Sequence, residues 1–524
     1  MRKSCVWFIY ATLLIVFLGI DAHSRAIDIS NVKVKQIDAY HFKAASYNRI
    51  GDYATFFNST AINQEMTSFF KQVGIYTFRL HAPVYQHTNA NFRLWQNLAF
   101  YGASPLQDIV DDFDFVKWAY NNDFKVILQV NTSNYYDTSN KIITLINDNP
   151  AIITKLADSH ADFIYKLKQA GLLSTILYVE FGNEDYIGMT TYPGTKPLLY
   201  AKTVKETIDR IKPITKDIKY CIVGQSIDFN VLVPKNKGEW TVGDWTKTVL
   251  LELKRLGVKD DISYVAHHCY ADDQATGSKL STGSRMSAID IPSFQDDWSI
   301  YNNYKVSETG SLDALKGYLD DIGFTNTLIE VNEFRRGGYN TYYNRSYMNL
   351  LANLDPWVTF INDKRVSGSL LWETFNGRDL FGKVNPWEGP TGYGVILRKA
   401  NGFELSMPGY LYFIMKMLFD GQSTVLKTSD PMSCAVIVGN KLKIMVYSKS
   451  LKTEQIALNL IGFNNKVSNV KQFILNAESI DDFITNPSTL KSKTLSNSSL
   501  NYDKFPKSVT IEPHSINIIS CTLE

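Results

Sequence analysis

Ile176-Leu177-Tyr178-Val179-Glu180-Phe181-Gly182-Asn183-Glu184-Asp185 is the stretch whose reading decides the fold. It begins as an apolar run rich in β-formers, the texture of a buried strand. Gly182-Asn183 then lets the chain turn sharply, which leaves the Glu184 carboxyl at the strand's end. A carboxyl in a strand-end pocket suits a general acid, because burial raises its pKa. The competing reading is a loop glutamate after an ordinary strand, so the neighbouring elements have to decide.

Working outward, strand-like and helix-like segments alternate. Asp38 to Ala45 reads as a first strand. Ile62, Met66, Phe69, Phe70 and Val73 then fall at helical spacing, with Gly74 as a C-cap. Ile75 to Leu80 is the second strand. Ser104-Pro105 opens a helix whose apolar stripe is Ile109, Val110, Phe113 and Val116. Lys125 to Val130 is the third strand. A helix from about Pro150 turns Ile153, Leu156, Ile164 and Leu167 inward and stops at Gly171. The opening stretch is the fourth strand. Tyr220 to Val223, Ile262 to Ala266, Thr327 to Val331 and Ser367 to Leu371 are the fifth to eighth, with helical patterns such as Trp245 to Leu256 and Tyr343 to Leu354 between them. Eight such strands predict an α/β fold, a (β/α)8 TIM barrel. The rival is an open doubly wound sheet, but no glycine-rich phosphate loop follows the first strand.

After residue 404 the texture changes to short strands and polar turns, among them Leu442 to Tyr447, Thr453 to Leu460, Val467 to Leu475 and Val509 to Ile519. A β-sandwich over 405–524 is expected, appended to a barrel over 25–404, with 25–35 a candidate to join the sandwich.

The first 24 residues read as a signal peptide: Arg2 and Lys3, an apolar run from Cys5 to Ile20, and small residues around Ala22-His23-Ser24. That run is short for a membrane span, and no later stretch is long and apolar enough to be one. The mature protein is therefore expected to be soluble and secreted, extracellular or periplasmic, with an uncleaved anchor as the alternative. With 54 basic and 52 acidic residues the charges nearly cancel, which argues against a nucleic-acid binder. Aromatic residues make up 13%, which suits both a large core and sugar-stacking surfaces. Four cysteines follow the leader. Cys434 and Cys521 lie in strand-like runs of one region and are candidates to pair, while Cys221 and Cys269 read as small buried residues. Asn58, Asn131, Asn344 and Asn497 head glycosylation sequons.

In such a barrel the chemistry gathers at the C-terminal strand ends. Those ends are Arg79-Leu80-His81, Gln129-Val130-Asn131, Asn183-Glu184, His267-His268-Cys269-Tyr270, Asn332-Glu333 and Trp372-Glu373. Two carboxyls facing one mouth, with an Arg, a Tyr and a Trp beside them, suit glycoside hydrolysis. That reaction needs one protonated and one ionised carboxyl. Glu330 rivals Glu333, and strand alternation allows only one of them to face the mouth. Placing Glu333 inward sends Ile329 and Val331 into the barrel core, so Glu333 is preferred. His267 and His268, with Asp272 and Asp273 nearby, hint at a metal, but adjacent strand residues face opposite ways, so none is expected. Glu373, Asp379 and Glu388 are reserve acids. No Gly-x-Ser-x-Gly elbow occurs, against a serine hydrolase.

Tyr178-Val179-Glu180-Phe181-Gly182-Asn183-Glu184 resembles the acid/base strand of clan A glycoside hydrolases, most of all family 51 α-L-arabinofuranosidases, with relatives in families 39 and 79. The resemblance implies Glu184 as acid/base and Glu333 as nucleophile. It implies Asn183 as donor to the sugar hydroxyl next to the anomeric carbon, and Arg79 as support for the nucleophile. His268-Cys269-Tyr270 resembles the sixth-strand His-Tyr-Tyr of family 51, and Trp372 its sugar-site floor. Asn131 completes the candidate substrate-binding set. Two places depart from family 51. The seventh strand reads Val331-Asn332-Glu333-Phe334 in place of Asp-Glu-Trp-Asn, and Leu80-His81-Ala82-Pro83 stands where Pro-Gly-Gly-Asn usually follows the Arg.

The expected function is a retaining glycosidase of the arabinofuranosidase type. It needs no cofactor and acts on an oligo- or polysaccharide that contains arabinose, xylose or uronic acid. The alternatives are a β-xylosidase or β-glucuronidase of the same clan, an endo-acting glycanase of the cellulase type, and a non-catalytic glycan-binding protein.

Overall fold

The computed structural model describes residues 25–48, 56–81, 110–137, 142–186, 194–224, 242–272, 312–337, 347–372, 374, 394–399, 402–450, 452–464, 466–476, 496–502 and 504–524. The leader lies outside this set, as do Asn344, Asp273, Glu373, Asp379, Glu388 and the Ser104-Pro105 helix start. Contacts divide the chain into two units. One comprises Ile37–Gln422 and Ser479–Lys493; the other comprises Met1–Gln36, Ser423–Glu478 and Thr494–Glu524.

The first unit is a closed barrel of parallel strands. In chain order they are Ala44–Asn48, Thr77–His81, Lys125–Val130, Ile176–Phe181, Tyr220–Val223, Ile262–Asp272, Leu328–Gly337 and Val366–Leu371. The eighth strand closes on the first through Leu370 opposite Ala44 and Leu371 opposite Ala45. Helix Thr60–Val73 buries Met66, Phe70 and Val73 and ends at Gly74, whose φ of 93° suits a residue without Cβ. Helix Asp112–Asn121 is capped by Asp111, whose carboxylate accepts from the Phe113 and Asp114 N–H groups; with Asp111 extended, the helix starts after Val110 and does not run on from Ser104-Pro105, and its buried face is Phe115, Val116 and Ala119 in place of Val110 and Phe113. Ala44, Ile127, Tyr178, Cys221, Tyr264, Ala266 and Leu370 fill the interior as one apolar cluster. Two residues further along the third and fourth strands come Gln129 and Glu180, so alternation points both inward.

Two expectations change here. The first strand does not begin at Asp38. Residues Ala39–Phe42 form a short helix with Asp38 accepting from the Tyr40 N–H at 3.0 Å, and the strand starts at Ala44. Strand parity fails in the seventh strand, where the pairing register shifts between Glu330 and Glu333. This bulge turns Glu330, Asn332 and Glu333 all toward buried polar partners, so Glu330 and Glu333 do not exclude one another. Ile329 and Val331 are buried, but neither belongs to the interior cluster.

The second unit is one nine-stranded mixed sheet. Its order is Ser496–Tyr502, Val467–Asn476, Ile516–Leu523, Lys441–Tyr447, Ser433–Val438, Gln422–Thr428, Arg25–Asp38, Glu454–Ile461 and Ser508–Ile511. The N-terminal strand runs parallel to Glu454–Ile461, with Arg25 opposite Ile456. Val470 and Ile519 from one end of the order share an apolar cluster with Ile456, Val509 and Ile511 from the other. The sheet therefore folds over on itself, as the layers of a sandwich do. Cys434 and Cys521 are both free and buried. Strand Lys441–Tyr447 separates them. Cys434 lies opposite Met445 and hence level with Ile518, three positions from Cys521, and only Cys521 belongs to the apolar cluster. Two strand spacings, about 9.5 Å, exceed the reach of a disulfide.

Candidate active site

The fourth strand delivers two glutamates by different means. Glu180 is carried by the strand itself, and its side chain is fully buried. Glu184 is carried by the turn that follows. Gly182 has φ of 75°, and a Cβ there would sit 1.8 Å from Asp185 Oδ2. Glu184 itself has φ of 50°, a left-handed conformation that costs energy for a residue with a Cβ. Asp185 holds the turn: its Oδ2 accepts from the Asn183 N–H at 2.9 Å, and its Oδ1 accepts from the hydroxyls of Thr132 at 2.7 Å and Thr195 at 2.9 Å. Burial pushes the Asp185 carboxyl up to about 6 against the pull of those hydrogen bonds.

Arg79 reaches the mouth from the second strand and is completely buried. Its Nε donates to Glu180 Oε2 at 2.7 Å and its Nη2 to Glu180 Oε1 at 2.6 Å. Nη2 also donates to Asn183 Oδ1 at 2.9 Å, and Nη1 to Glu333 Oε1 at 2.5 Å. Burial works against the guanidinium charge, but Glu180 and Glu333 more than offset it and keep Arg79 protonated. Glu180 Oε1 also accepts from Asn332 Nδ2 at 2.9 Å and Gln129 Nε2 at 3.3 Å.

His268 stands between the two candidate catalytic carboxyls. Its Nδ1 lies 2.8 Å from Glu184 Oε1 and 3.4 Å from Glu333 Oε2. Polar atoms of Glu184, His268 and Glu333 all lie within 4.8 Å of one another. Glu184 is the most open of the three, its side chain 27% exposed against 5% for Glu333. Tyr186 OH donates to Glu184 Oε1 at 3.5 Å. Burial favours neutral Glu184, but the His268 hydrogen bond and charge and the Arg79 charge outweigh it, so this carboxyl sits below its ordinary value. The raised pKa expected for a strand-end acid is thus not found, because its proton partner His268 lies in contact. Burial likewise opposes the His268 charge, and Glu333 and Glu184 overcome it, so His268 is raised. His267, fully buried, is pushed down to about 3 by burial and by His268, and stays neutral.

The structure brings Arg79, Asn183, Glu184, His268 and Glu333 together. Asn131 does not join them by any contact that involves its side chain. Its Nδ2 donates to Asn134 O at 2.7 Å and Asn134 Oδ1 at 2.8 Å, and its Oδ1 accepts from the Ser133 N–H at 3.0 Å. At 3% exposure it organises its own turn and leaves no room for a glycan at its sequon. Tyr270 lies on the sixth strand, and its side chain is outside the described residues. Trp372 follows the eighth strand, donating its N–H to Phe334 O at 2.9 Å, with a half-buried side chain. Sequence reasoning gave no role to Glu180 or Asp185, and it placed Gln129 and Asn332 at strand ends without assigning them one. For Glu180 the available signal was a charge inside an apolar strand, which has to find a buried partner.

Glu184, His268 and Glu333 are the one group of such side chains, among the described residues, close enough to share a metal ion. The Arg79 guanidinium on Glu333 and the proton favoured on His268 both oppose a cation there.

No family model matches the chain, and no curated protein matches it in sequence. Solved structures do match. A family 51 α-L-arabinofuranosidase from Bifidobacterium longum aligns with a TM-score of 0.62 at 12% identity, over 95% of this chain and 99% of its own. An α-L-arabinofuranosidase from Thermotoga maritima, solved with arabinose, aligns at 0.61 and 13% identity, over 95% and 99%. A family 39 β-xylosidase from Caulobacter crescentus aligns at 0.54 and 12% identity, over 95% and 100%. The chain has the fold of these glycosidases. The likeness takes in both units, the closed barrel and the sheet beyond it.

Proposed function

We propose that this chain is a secreted retaining glycoside hydrolase, with Glu333 as nucleophile and Glu184 as acid/base. The observation that carries the reading is the pair of carboxyls bridged by His268, with polar atoms within 4.8 Å of one another. Retaining enzymes hold their carboxyls about 5–5.5 Å apart, whereas inverting enzymes need about 6.5–9.5 Å to admit a water. Glu333 attacks the anomeric carbon while its second oxygen stays on Arg79 Nη1. Glu184 protonates the leaving oxygen, drawing on the proton that it shares with His268; the two titrate as a pair. Water then enters, Glu184 takes its proton, and the sugar leaves Glu333 with its anomeric configuration retained. Asn183, whose Oδ1 accepts from Arg79 Nη2 and Gln129 Nε2, is the proposed donor to the sugar hydroxyl beside the anomeric carbon.

The glycone is proposed to be arabinofuranose or xylose, the sugars named for enzymes that share this fold. Secretion rests on the N-terminal leader, and Edman sequencing of the secreted protein should begin near residue 25. The activity test is hydrolysis of nitrophenyl arabinofuranoside, xyloside, glucuronide and glucoside, with Glu333→Ala alongside. Release from one sugar that the variant abolishes supports the reading. Silence on these and on polysaccharide refutes it in favour of a barrel that only binds.

A further inference from the structure

We propose that Glu180 is a positioning residue for this reaction, holding Arg79 in place and cancelling its charge so that the guanidinium orients Glu333 and Asn183 without over-stabilising the site's anions. The inference rests on the glycosidase reading above.

Three observations carry it. First, Glu180 takes two N–H groups of Arg79, one on each carboxylate oxygen, which fixes the plane of the guanidinium. With that plane fixed, Nη1 points at Glu333 and Nη2 at Asn183. Glu180 thus governs two groups that it does not touch. Second, its acceptors are fully committed. Oε1 receives Arg79, Asn332 and Gln129, and Oε2 receives Arg79. Those donors come from the second, third and seventh strands, so one buried carboxylate ties the strand that carries the nucleophile to the strand that carries its arginine. Third, the charges need it. Arg79 is entirely buried and touches two carboxylates. Only one of these, Glu333, has work to do on a sugar. Glu180 neutralises the cation, and Glu333 keeps the hydrogen bond.

The charged and titratable groups around Glu180 come from several elements. The second strand brings Arg79, and the fourth brings Tyr178 and, past its end, Glu184. The fifth brings Cys221, helix Pro197–Ile211 brings Tyr200, and the seventh Glu330 and Glu333; Glu184 and the sixth strand's His268 are reached through Arg79. Glu330 is engaged lower in the barrel, 2.6 Å from His41 Nδ1 and 2.6 Å from Ser367 Oγ, so it cannot replace Glu180 on Arg79. Arg79 already lowers both Glu184 and His268. Removing the Glu180 charge strengthens that effect on each. The site then loses its catalytic proton at a lower pH.

The test is Glu180→Gln beside wild type and Glu180→Asp, assayed for kcat, KM and pH profile on the nitrophenyl glycoside that wild type accepts, with thermal melts of all three. For Glu180→Gln we expect a folded protein, a fall in kcat of about 100-fold, the scale of losing a preorganised electrostatic contact, and a smaller change in KM. The alkaline limb of its pH profile should move about one unit to lower pH, the scale of one unbalanced charge roughly 10 Å away in a protein interior. Glu180→Asp keeps the charge, so its limb should stay in place while kcat drops from misplaced geometry. A folded Glu180→Gln whose limb does not move reduces Glu180 to a packing role and overturns the proposal. If Glu180→Gln does not fold, Glu180→Asp decides: lowered kcat with the limb in place supports the proposal, and full kcat or a moved limb overturns it. Failure of the functional reading looks different, since wild type itself would then be inactive.

Discussion

Asp185→Asn gives a stability change whose sign and size follow from the turn beside Glu184. Asp185 is 3% exposed and its carboxyl is raised from 3.8 to about 6 by burial. It therefore binds its proton more tightly in the folded protein than in the unfolded chain. Between these two values the folded state carries more protons, so stability falls as pH rises through the window. The whole gap is worth about 3 kcal/mol, and the part lost between pH 4 and pH 7 is about 2 kcal/mol. Asparagine cannot ionise and escapes this loss. It does add a fixed cost, because its Nδ2 meets one of the donors that Asp185 now satisfies: the Asn183 N–H, Thr132 or Thr195. Urea unfolding of wild type and Asp185→Asn at pH 4 and pH 7 measures the difference. The gap between the two proteins should shift toward the variant by about 2 kcal/mol at the higher pH. Glu184, His268 and the other carboxylates are common to both proteins and largely cancel. A gap that stays constant to within about 0.5 kcal/mol would refute the account of Asp185 as a buried carboxylate ionised at a cost. Turnover should also fall in the variant, since one of the three contacts that shape the turn beside Glu184 is lost.

Arg79→Met should destabilise the fold by about 3–5 kcal/mol in urea, because Glu180 and Glu333 are left buried without their cation; a loss under about 1 kcal/mol would mean that the buried ion pairs with Arg79 do not hold this part of the barrel together. Glu184→Ala should cost about 100- to 10,000-fold in turnover of substrates with poor leaving groups, much less with nitrophenyl substrates, and azide should restore rate by forming the glycosyl azide. Equal losses on both kinds of leaving group would take proton donation away from Glu184.

The barrel was legible because its strands are short apolar runs at regular spacing, and the ends of those runs carry the polar residues. Strand-end position put Arg79, Asn183, Glu184, His268 and Glu333 among the candidates, and the resemblance to clan A glycosidases picked them out. The seventh strand was harder. Alternation assumes an unbroken ladder, and the register shift between Glu330 and Glu333 breaks it. A bulge leaves no composition signal in Leu328–Gly337 that a regular strand lacks. Glu180 was passed over because a strand reading attends to its apolar neighbours. Asp38 looked like the start of a strand, but its carboxylate caps the helix that follows. Asn131 has the right place and the wrong role, since its amide is spent on its own turn. The lowered Glu184 pKa depends on His268, 84 residues away in the chain, and no local pattern encodes that contact.

The central claim is that Glu333 forms a covalent bond to the sugar. The most direct measurement is peptide mass spectrometry after incubation with a glycoside of the accepted sugar that carries fluorine at C2 and a good leaving group, which slows release of the intermediate. One added sugar located on Glu333, and absent from Glu333→Gln, is the predicted result. A sugar located on Glu180 or Glu330, or hydrolysis with inverted configuration and no labelled peptide, would contradict the account.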